Sequence, residues 1–296
     1  MNLRSSSTAL LLPALVLLAG SATSGQVGAS PSLAEVLQRV GERVEQYFTR
    51  AQSIVCIEIV GLMPVDFSSL TRSRTVESEL RLSWEPTEEN PAPIEARTLR
   101  QVIKVNGHAP RKNDHDNCTA PEQTTSEVQP LSMLLPQQRH EYSFKLAGAA
   151  RIDNRAAILL DYRMVDKPSV TSELVNGNEE CVSFTVDGGM RGRVWIDAET
   201  FDVLRMDQGL LGLVDIPLPR KAANRARWAS WTMERWDTSI RFKPVTFQEP
   251  AETLVLPVSS TSFRITRGAG TPRIRTTTQY SSYRRFITGG RVLPPQ

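Results

Sequence analysis

The stretch Gly192–Asp207, GRVWIDAETFDVLRMD, predicts a β-hairpin and indicates the fold class. Two runs rich in β-branched and aromatic residues flank the polar segment Asp197–Thr200. Because side chains alternate between the faces of a strand, a four-residue turn at Asp197–Thr200 collects apolar side chains on one face. That turn gives two pairs of facing residues: Ile196 with Phe201, and Val194 with Val203.

A three-residue loop in the hairpin instead places Arg193 opposite Arg205, and facing like charges are unfavourable. We therefore predict the four-residue turn, since register follows the hydrophobic pattern. The opposite face then carries Trp195, Leu204 and Met206 and is too apolar for free exposure. We expect the hairpin to lie in the middle of a sheet, covered on one side by an N-terminal helix and on the other by Leu210–Leu218.

Composition places the chain among ordinary globular proteins. Its 296 residues are 40% hydrophobic and 23% charged, which suffices for one large or two small domains. The formal net charge of +3 is small, so nucleic acid is not expected as a partner.

The N-terminus has the pattern of a secretory signal peptide. Arg4 precedes the apolar run Ala9–Ala19, and small residues follow at Gly20–Ser24. The apolar run is too short to span a bilayer comfortably, and an uncleaved anchor helix is the alternative. We predict a signal peptide at residues 1–25, a flexible lead-in at residues 26–31 and one domain at residues 32–296. The mature protein is then exported, to the periplasm or the extracellular space.

After the lead-in the pattern is first helical and then β. Ser32–Glu35 form a capping box, and apolar residues at helical spacing predict an amphipathic helix over Ser32–Arg50. Alternating segments predict strands, and strands of this number are expected to curl. The predicted strands are Ser53–Val60, Thr75–Trp84, Leu99–Val105, Glu141–Leu146, Arg151–Arg163, Cys181–Val186, the hairpin, Trp231–Phe242, Thr261–Thr266 and Arg273–Ile287.

The segments between these strands carry further expectations. We expect a strand connection near Ala147-Gly148, a loop at Val165–Asn178 and an exposed basic stretch at Lys221–Arg227. Gln208–Pro219 is apolar but is broken by glycine and proline, so it is either a connection that covers the core or a lid over a cavity. The sequence thus predicts a mostly β protein with few helices, in the α+β class. Its large curved antiparallel sheet, an unclosed β-barrel, is covered by an N-terminal helix and a lid segment.

Three cysteines allow one disulfide in an exported protein. Cys118 lies in a polar loop and Cys181 at the start of a strand, whereas Cys56 lies within a β-like run. We predict a bond between Cys118 and Cys181 and a buried thiol at Cys56. In the chain-entropy model, closing so long a loop stabilises the fold by about 4 kcal/mol.

Catalytic and metal-binding signatures are missing from the sequence. His108, His115 and Cys118 lie in a loop without the periodicity that would hold metal ligands, so no metal site is predicted. The common hydrolase, zinc, thiol and phosphate-loop motifs do not occur. We therefore expect no enzymatic activity and no cofactor; a hydrolase with an unfamiliar motif is the remaining alternative.

The C-terminal stretch is rich in arginine and has no acidic residue after Glu252. One interpretation is strand surfaces balanced by acids elsewhere, such as Glu77 and Glu79. The other is contact with an anionic envelope surface or an acidic partner. The arginines in this second interpretation are Arg264, Arg267, Arg273, Arg275, Arg284 and Arg285.

The hairpin motif, within a secreted chain with an N-terminal helix and a long meander, resembles the outer-membrane lipoprotein-sorting (LolA-like) superfamily. The residues that carry the resemblance are Val194–Asp197, VWID, followed by Val203–Arg205, VLR. This resemblance implies a curved, unclosed β-barrel around a hydrophobic cavity that binds acyl chains or lipidated termini without chemistry. The long Ala109–Pro130 loop and the expected disulfide are departures from the superfamily.

Two functions follow from this interpretation. The first is an exported, monomeric protein that binds a hydrophobic or acylated ligand, a lipid or lipoprotein, in the curve of the sheet. The second is a structural or protein-interaction module of the cell envelope with a filled core. For the first function the expected ligand-binding residues are Trp195, Leu204, Met206, Leu210, Leu211, Leu213 and Val214.

Overall fold

The computed structural model describes residues 31–50, 54–65, 73–83, 97–111, 114, 130–248 and 251–285. The predicted signal peptide, almost all of the lead-in, and Cys118 with His115 lie outside the described residues. The described helices are α1 (Leu33–Arg50) and α2 (Arg220–Ala226). The described strands are β1 (Ile54–Pro64), β2 (Arg74–Ser83), β3 (Arg97–Val105), β4 (Tyr142–Ile152), β5 (Arg155–Met164), β6 (Ser169–Leu174), β7 (Val182–Asp187), β8 (Met190–Asp197), β9 (Val203–Leu210), β10 (Val214–Pro217), β11 (Ser230–Gln248), β12 (Ala251–Arg267) and β13 (Arg273–Arg285).

Eleven strands form one antiparallel sheet in the order β3-β2-β1-β13-β12-β11-β9-β8-β5-β4, with β10 paired to β11. Strands β3 and β4 are its two edges, so the sheet is not closed into a barrel in the part of the chain that the structure describes. Strands β6 and β7 form a separate two-stranded sheet. The predicted class, a mostly β protein with one large antiparallel sheet and an N-terminal helix, is confirmed.

Helix α1 packs on one face of the large sheet, which we call the inner face. The backbone N–H of Glu35 donates to Ser32 Oγ at 3.2 Å, as the capping box predicts. The apolar stripe of the helix joins the main core with side chains of β1, β5, β8, β11 and β12. Its fully or nearly buried members are Val36, Val40, Val44 and Phe48. The predicted amphipathic helix is therefore confirmed.

A second, smaller core involves the β6–β7 sheet. Val214 and Ile216 of β10 and Met233 of β11 are buried there, with Val170 and Phe184 packed against them. Strand β6 shows that the expectation of a loop over Val165–Asn178 was wrong: the alternation of Val170 with polar neighbours is a strand pattern. Gln208–Pro219 belongs to β9 and β10 and is a connection that covers this second core. It does not cover the hairpin as a lid.

Two other connections also differ from expectation. Strands β4 and β5 turn at Asp153 and Asn154, both with positive φ, while Gly148 lies at a register shift inside β4. Glycine is common in turns, but it permits a bulge equally well. The basic stretch expected to be only exposed contains α2, which begins after Pro219 and buries Ala222.

The hairpin register departs from the four-residue turn. Ile196 pairs with Val203 and Val194 with Met206, because Leu204 is an extra residue at a β-bulge. The turn extends to Asp202: Asp197 N–H donates to the carbonyl of Asp202 at 2.9 Å. The predicted pairs were therefore wrong, although Val194, Ile196, Phe201 and Val203 are all buried in the main core. The bulge also moves Met206 onto this inner face, where it is 2% exposed.

Candidate ligand-binding cavity

A cavity of about 250 Å³ opens between α1 and the inner face of the sheet, beside the hairpin turn. We call it the helix cavity. Five parts of the fold contribute to it: α1, a short 3₁₀ helix at Pro130–Leu134, the start of β5, the hairpin, and the paired strands β11 and β12. The lining residues are Arg43, Val44, Gln46, Tyr47, Arg50, Leu131, Arg155, Asp202, Val203, Phe242, Pro244, Thr253, Leu254 and Val255.

Part of the wall of the helix cavity is apolar, because three elements turn core-facing side chains toward it. Val44 belongs to the buried stripe of α1, and Phe242 and Leu254 belong to the main core. Tyr47 packs edge-on against Phe48, with ring centroids 5.3 Å apart. Burial raises the pKa of the Tyr47 hydroxyl, so this side chain stays neutral at physiological pH.

Arginines stand at the opening of the helix cavity. Arg43 Nε donates to Asp202 Oδ1 at 3.0 Å and so joins α1 to the hairpin turn. Arg155 Nε lies 2.7 Å from Asp197 Oδ2. Arg50, at the end of α1, is exposed and forms no ion pair with any described carboxylate. The opening is therefore electropositive, with one guanidinium available to an anionic group.

Asp197 organises the turn that carries Asp202. Its Oδ1 accepts hydrogen bonds from the backbone N–H groups of Thr200, at 2.7 Å, and Glu199, at 3.0 Å. Burial acts to raise the pKa of Asp197, but these two donors and Arg155 outweigh it and hold the pKa below its usual value. Phe201, with a φ of 62°, closes the turn and places its ring in the core.

Cys56 lies in the main core as a free, fully buried thiol, which confirms the expectation for this residue. Burial first, and then the neighbouring Glu58 carboxylate, raise the pKa of Cys56 to about 12. The thiol is therefore protonated and unreactive at neutral pH. Cys181 is also buried, and its pairing with Cys118 stays a prediction because Cys118 lies outside the described residues.

A buried ion pair stands near Cys56 on the inner face. Arg100 of β3 donates through Nε to Glu58 Oε2 at 2.6 Å and through Nη2 to Oε1 at 3.3 Å. The side chains are 7% and 1% exposed, respectively. Since each charge is satisfied by the other, this pair holds β3 to β1 across the intervening strand β2 and leaves no free charge for chemistry.

The chemistry available to the helix cavity follows from its lining residues. Its lone carboxylate, Asp202, is engaged by Arg43 and by the hydroxyl of Thr200, and the described lining includes no histidine, cysteine or lysine. No nucleophile paired with a general base is therefore available there. Elsewhere in the described residues no group of His, Cys, Asp or Glu side chains is arranged to hold a metal ion.

The seven residues predicted to bind ligand do not meet at one place. Met206 is in the main core, Val214 is in the second core, and Leu204 is buried at the bulge. Leu213 is 67% exposed. Trp195, Leu210 and Leu211 line an open groove on the opposite, outer face of the sheet. We call this the outer groove.

The predicted site therefore missed the residues that line the helix cavity. The sequence does contain one signal for them, the apolar stripe of α1. A cavity beneath a covering helix is lined by residues of such a stripe. The matching residues of β11 and β12, Phe242 and Leu254, are ordinary core positions in an alternating strand and carry no separate signal.

The arginines of the C-terminal stretch are partly neutralised. Arg267 lies 3.3 Å from Glu234, Arg284 lies 2.9 Å from Glu79, and Arg285 contacts Glu252. Arg264 stacks over the ring of Phe184 at 5.5 Å. The balancing of strand arginines by acids such as Glu79 is thus observed, while contact of this stretch with an anionic surface stays a prediction.

Comparison with solved structures finds alignments that cover most of the chain. A LolA superfamily protein from Nitrosomonas europaea is 9% identical and aligns over 88% of this chain and 97% of its own, with a TM-score of 0.37. A putative outer membrane lipoprotein-sorting protein domain from Vibrio parahaemolyticus is 12% identical over 86% and 92%, with a TM-score of 0.38. MucB, in the MucA/MucB complex of Pseudomonas aeruginosa, is matched at 9% identity over 84% and 99%, with a TM-score of 0.24.

Solved members of the LolA superfamily align with most of the chain, and the resemblance inferred from VWID and VLR names the same superfamily. No protein-family model and no curated protein sequence matches the chain. Among the described residues, no helix combines the length and the apolar character needed to cross a membrane.

Proposed function

We propose that the protein is an exported, non-catalytic binding protein that takes an apolar chain of a lipid or acylated ligand into the helix cavity. Export rests on the signal-peptide pattern at residues 1–25. The ligand enters between α1 and the paired strands β11 and β12. An anionic group at the head of the ligand stays at the opening, beside Arg50.

The observation that carries this proposal is a space left open at the edge of the main core, beneath α1. Val44, Phe242 and Leu254 converge from three elements but do not fill the volume between them. The resulting volume of about 250 Å³ is open to solvent and is lined by polar as well as apolar side chains. It therefore offers a ligand both an apolar surface and polar contacts.

The size of the helix cavity limits what it accepts. Sites for small molecules generally measure about 300–1,000 Å³, so this cavity lies just below that range. It suits one alkyl chain, or the end of one, better than a whole multi-chain lipid. The charged opening then selects a single-chain amphiphile whose head is a carboxylate or phosphate.

A protein-interaction module is the second candidate, and one observation favours it. Apart from the helix cavity, the space under α1 is filled by buried side chains, whereas the larger opening, of about 760 Å³, is the outer groove. A module of this kind needs a surface for a partner and no internal ligand.

A fluorescent fatty acid provides the test. Leu254→Trp and Val255→Phe place extra volume in the helix cavity, and each is expected to weaken uptake of the probe by at least about tenfold, an effect of about 1.4 kcal/mol. Val165→Trp adds the same ring at a position that is 65% exposed and serves as the matched control. Circular dichroism and thermal melting verify that each variant is folded.

Unchanged uptake by both folded cavity variants would reject the helix cavity as the site. If native mass spectrometry of the gently purified protein detects no lipid and the wild type takes up no probe, the second candidate is supported instead.

A further inference from the structure

The outer groove crosses strands β5, β8, β9, β11 and β12 on the face of the sheet opposite α1. Its volume is about 760 Å³. Most of its lining side chains alternate with core residues: Arg193 and Trp195 belong to the groove, while Val194 and Ile196 belong to the main core. The outer groove is therefore separate from the helix cavity.

Each carboxylate in the outer groove already has an arginine. Arg193 donates to both oxygens of Asp161, at 2.5 Å and 2.9 Å. Arg205 donates to both oxygens of Asp207, at 2.8 Å and 2.7 Å. Arg235 contacts Asp237. These pairs neutralise one another, as the lowered pKa of Asp161 beside Arg193 also reflects.

Two further arginines of the groove are left without an acid. Arg163 of β5 and Arg191 of β8 face each other directly across the antiparallel pair, and both are exposed. Among the described residues neither guanidinium has an ion-pair or hydrogen-bond partner. Directly opposed like charges destabilise a sheet, so this arrangement does not serve the fold.

The sides of the groove are aromatic and apolar. The guanidinium of Arg205 lies 4.6 Å from the ring centroid of Trp195, and that of Arg235 lies 5.4 Å from the ring centroid of Phe263. Leu210 and Leu211 line one end. Half-buried aromatic side chains beside arginines are among the residues that most often anchor protein interfaces.

We infer that the outer groove binds an extended segment of a partner protein in which acidic residues are mixed with apolar ones. Arg163 and Arg191 converge on a carboxylate of that segment, since two guanidiniums side by side match its oxygens. Trp195 and Phe263 receive its apolar side chains. This binding site is independent of the proposed lipid site, because it lies on the other face of the sheet, and it would serve the second candidate function.

The length of the groove favours a polypeptide over a single small anion. Strands are spaced about 4.8 Å apart, so five neighbouring strands span about 19 Å, the length of about six extended residues. The two unpaired positive charges lie at the end of the groove formed by β5 and β8. They therefore fix where along the groove the acidic residue of the partner segment binds.

A short fluorescein-labelled peptide of alternating glutamate and leucine is the probe, and its lysine-for-glutamate counterpart is the negative control. We expect the glutamate peptide to bind the full-length protein in fluorescence anisotropy and the binding to weaken as salt is raised. The double variant Arg163→Gln/Arg191→Gln is expected to weaken binding by at least about tenfold. Its thermal midpoint should equal or exceed that of the wild type, because a repulsive pair is removed.

The matched control is Arg220→Gln/Lys221→Gln, which removes the same charge from positions of α2 that do not line the groove. The single variants Arg163→Gln and Arg191→Gln maintain the test if the double variant does not fold. Binding that survives in the folded variants, or no binding by the wild type, overturns the inference. Binding of phosphatidylglycerol vesicles without binding of the peptide also overturns it and indicates a lipid surface.

The fatty-acid probe separates this inference from the proposed function. The Arg163→Gln/Arg191→Gln variant should take up that probe as the wild type does, and Leu254→Trp should bind the glutamate peptide normally.

Discussion

Arg43 and Asp202 are 159 residues apart in the chain, and the Nε of Arg43 donates to Oδ1 of Asp202 at 3.0 Å. This contact joins the middle of α1 to the turn of the β8–β9 hairpin. Both residues line the helix cavity. The covering helix is therefore tied to the sheet at the opening through which we propose that a ligand enters.

A double-mutant cycle on Arg43→Ala and Asp202→Ala should show a small coupling. The side chains are 39% and 17% exposed, so the pair is expected to contribute about 0.2–1 kcal/mol to the free energy of unfolding. Urea unfolding of the four proteins measures it. If α1 limits entry, the same variants take up the fatty-acid probe faster than the wild type; an unchanged association rate would show that this contact does not restrain entry.

Asp197→Ala should destabilise the protein by about 2–3 kcal/mol, because it removes an acceptor of three charge-assisted contacts in the turn. Glu199→Ala, at an exposed position of the same turn, is the control. Urea unfolding distinguishes the two. A loss in Asp197→Ala no larger than in the control would contradict the assigned role.

The same carboxylate predicts a pH dependence. The pKa of Asp197 is lower in the folded state than in the unfolded state, so its contribution to stability is complete above the unfolded pKa of about 3.9 and is lost as the pH falls through the folded pKa. Asp197→Asn should therefore lose less stability than the wild type between about pH 5 and pH 2. If the free energies of unfolding of wild type and Asp197→Asn fall in parallel over this pH range, the prediction is wrong.

Breaking the buried Glu58–Arg100 pair should lower the free energy of unfolding strongly, whereas replacing both residues by apolar ones should lower it much less. Arg100→Leu leaves the Glu58 carboxylate buried without its partner and is expected to cost about 3–5 kcal/mol. Glu58→Leu/Arg100→Leu together should recover most of that loss. Equilibrium unfolding of both variants is the measurement, and a double variant less stable than Arg100→Leu would show that the pair itself is required.

Cys56 should resist modification in the folded protein. Its pKa, raised to about 12, keeps the thiol protonated, and its side chain is fully buried. A chromogenic disulfide reagent at pH 8 is expected to label it only after denaturant is added. Rapid labelling without denaturant would mean that β1 opens readily.

Much of the fold could be predicted from local pattern. The stripe and cap of α1, the alternation of β1, β2 and β7, and the apolar hairpin strands all agree with the structure because periodicity reports which face is buried. The hairpin register could not be predicted, because it depends on Asp197 accepting two backbone hydrogen bonds and on a bulge at Leu204. Neither feature changes the hydrophobic pattern enough to be recognised.

The candidate site was less predictable than the fold. Leu210–Val214 is apolar in sequence, but its side chains diverge among the outer groove, solvent and the second core. A cavity forms where neighbouring side chains leave space unfilled. The space among Val44, Phe242 and Leu254 depends on how α1 packs against β11 and β12, which are far from it in the chain. The opposed arginines of the outer groove likewise depend on the register of β5 against β8.

Photocrosslinking with a fatty acid that carries a diazirine on its alkyl chain tests the central claim most directly. We predict that mass spectrometry will locate the crosslinks on Tyr47, Leu131, Phe242 and Leu254, and that unlabelled fatty acid will compete with them. Competed crosslinks on Trp195 or Leu210–Leu213 instead, or no competed crosslinks at all, would contradict ligand binding in the helix cavity.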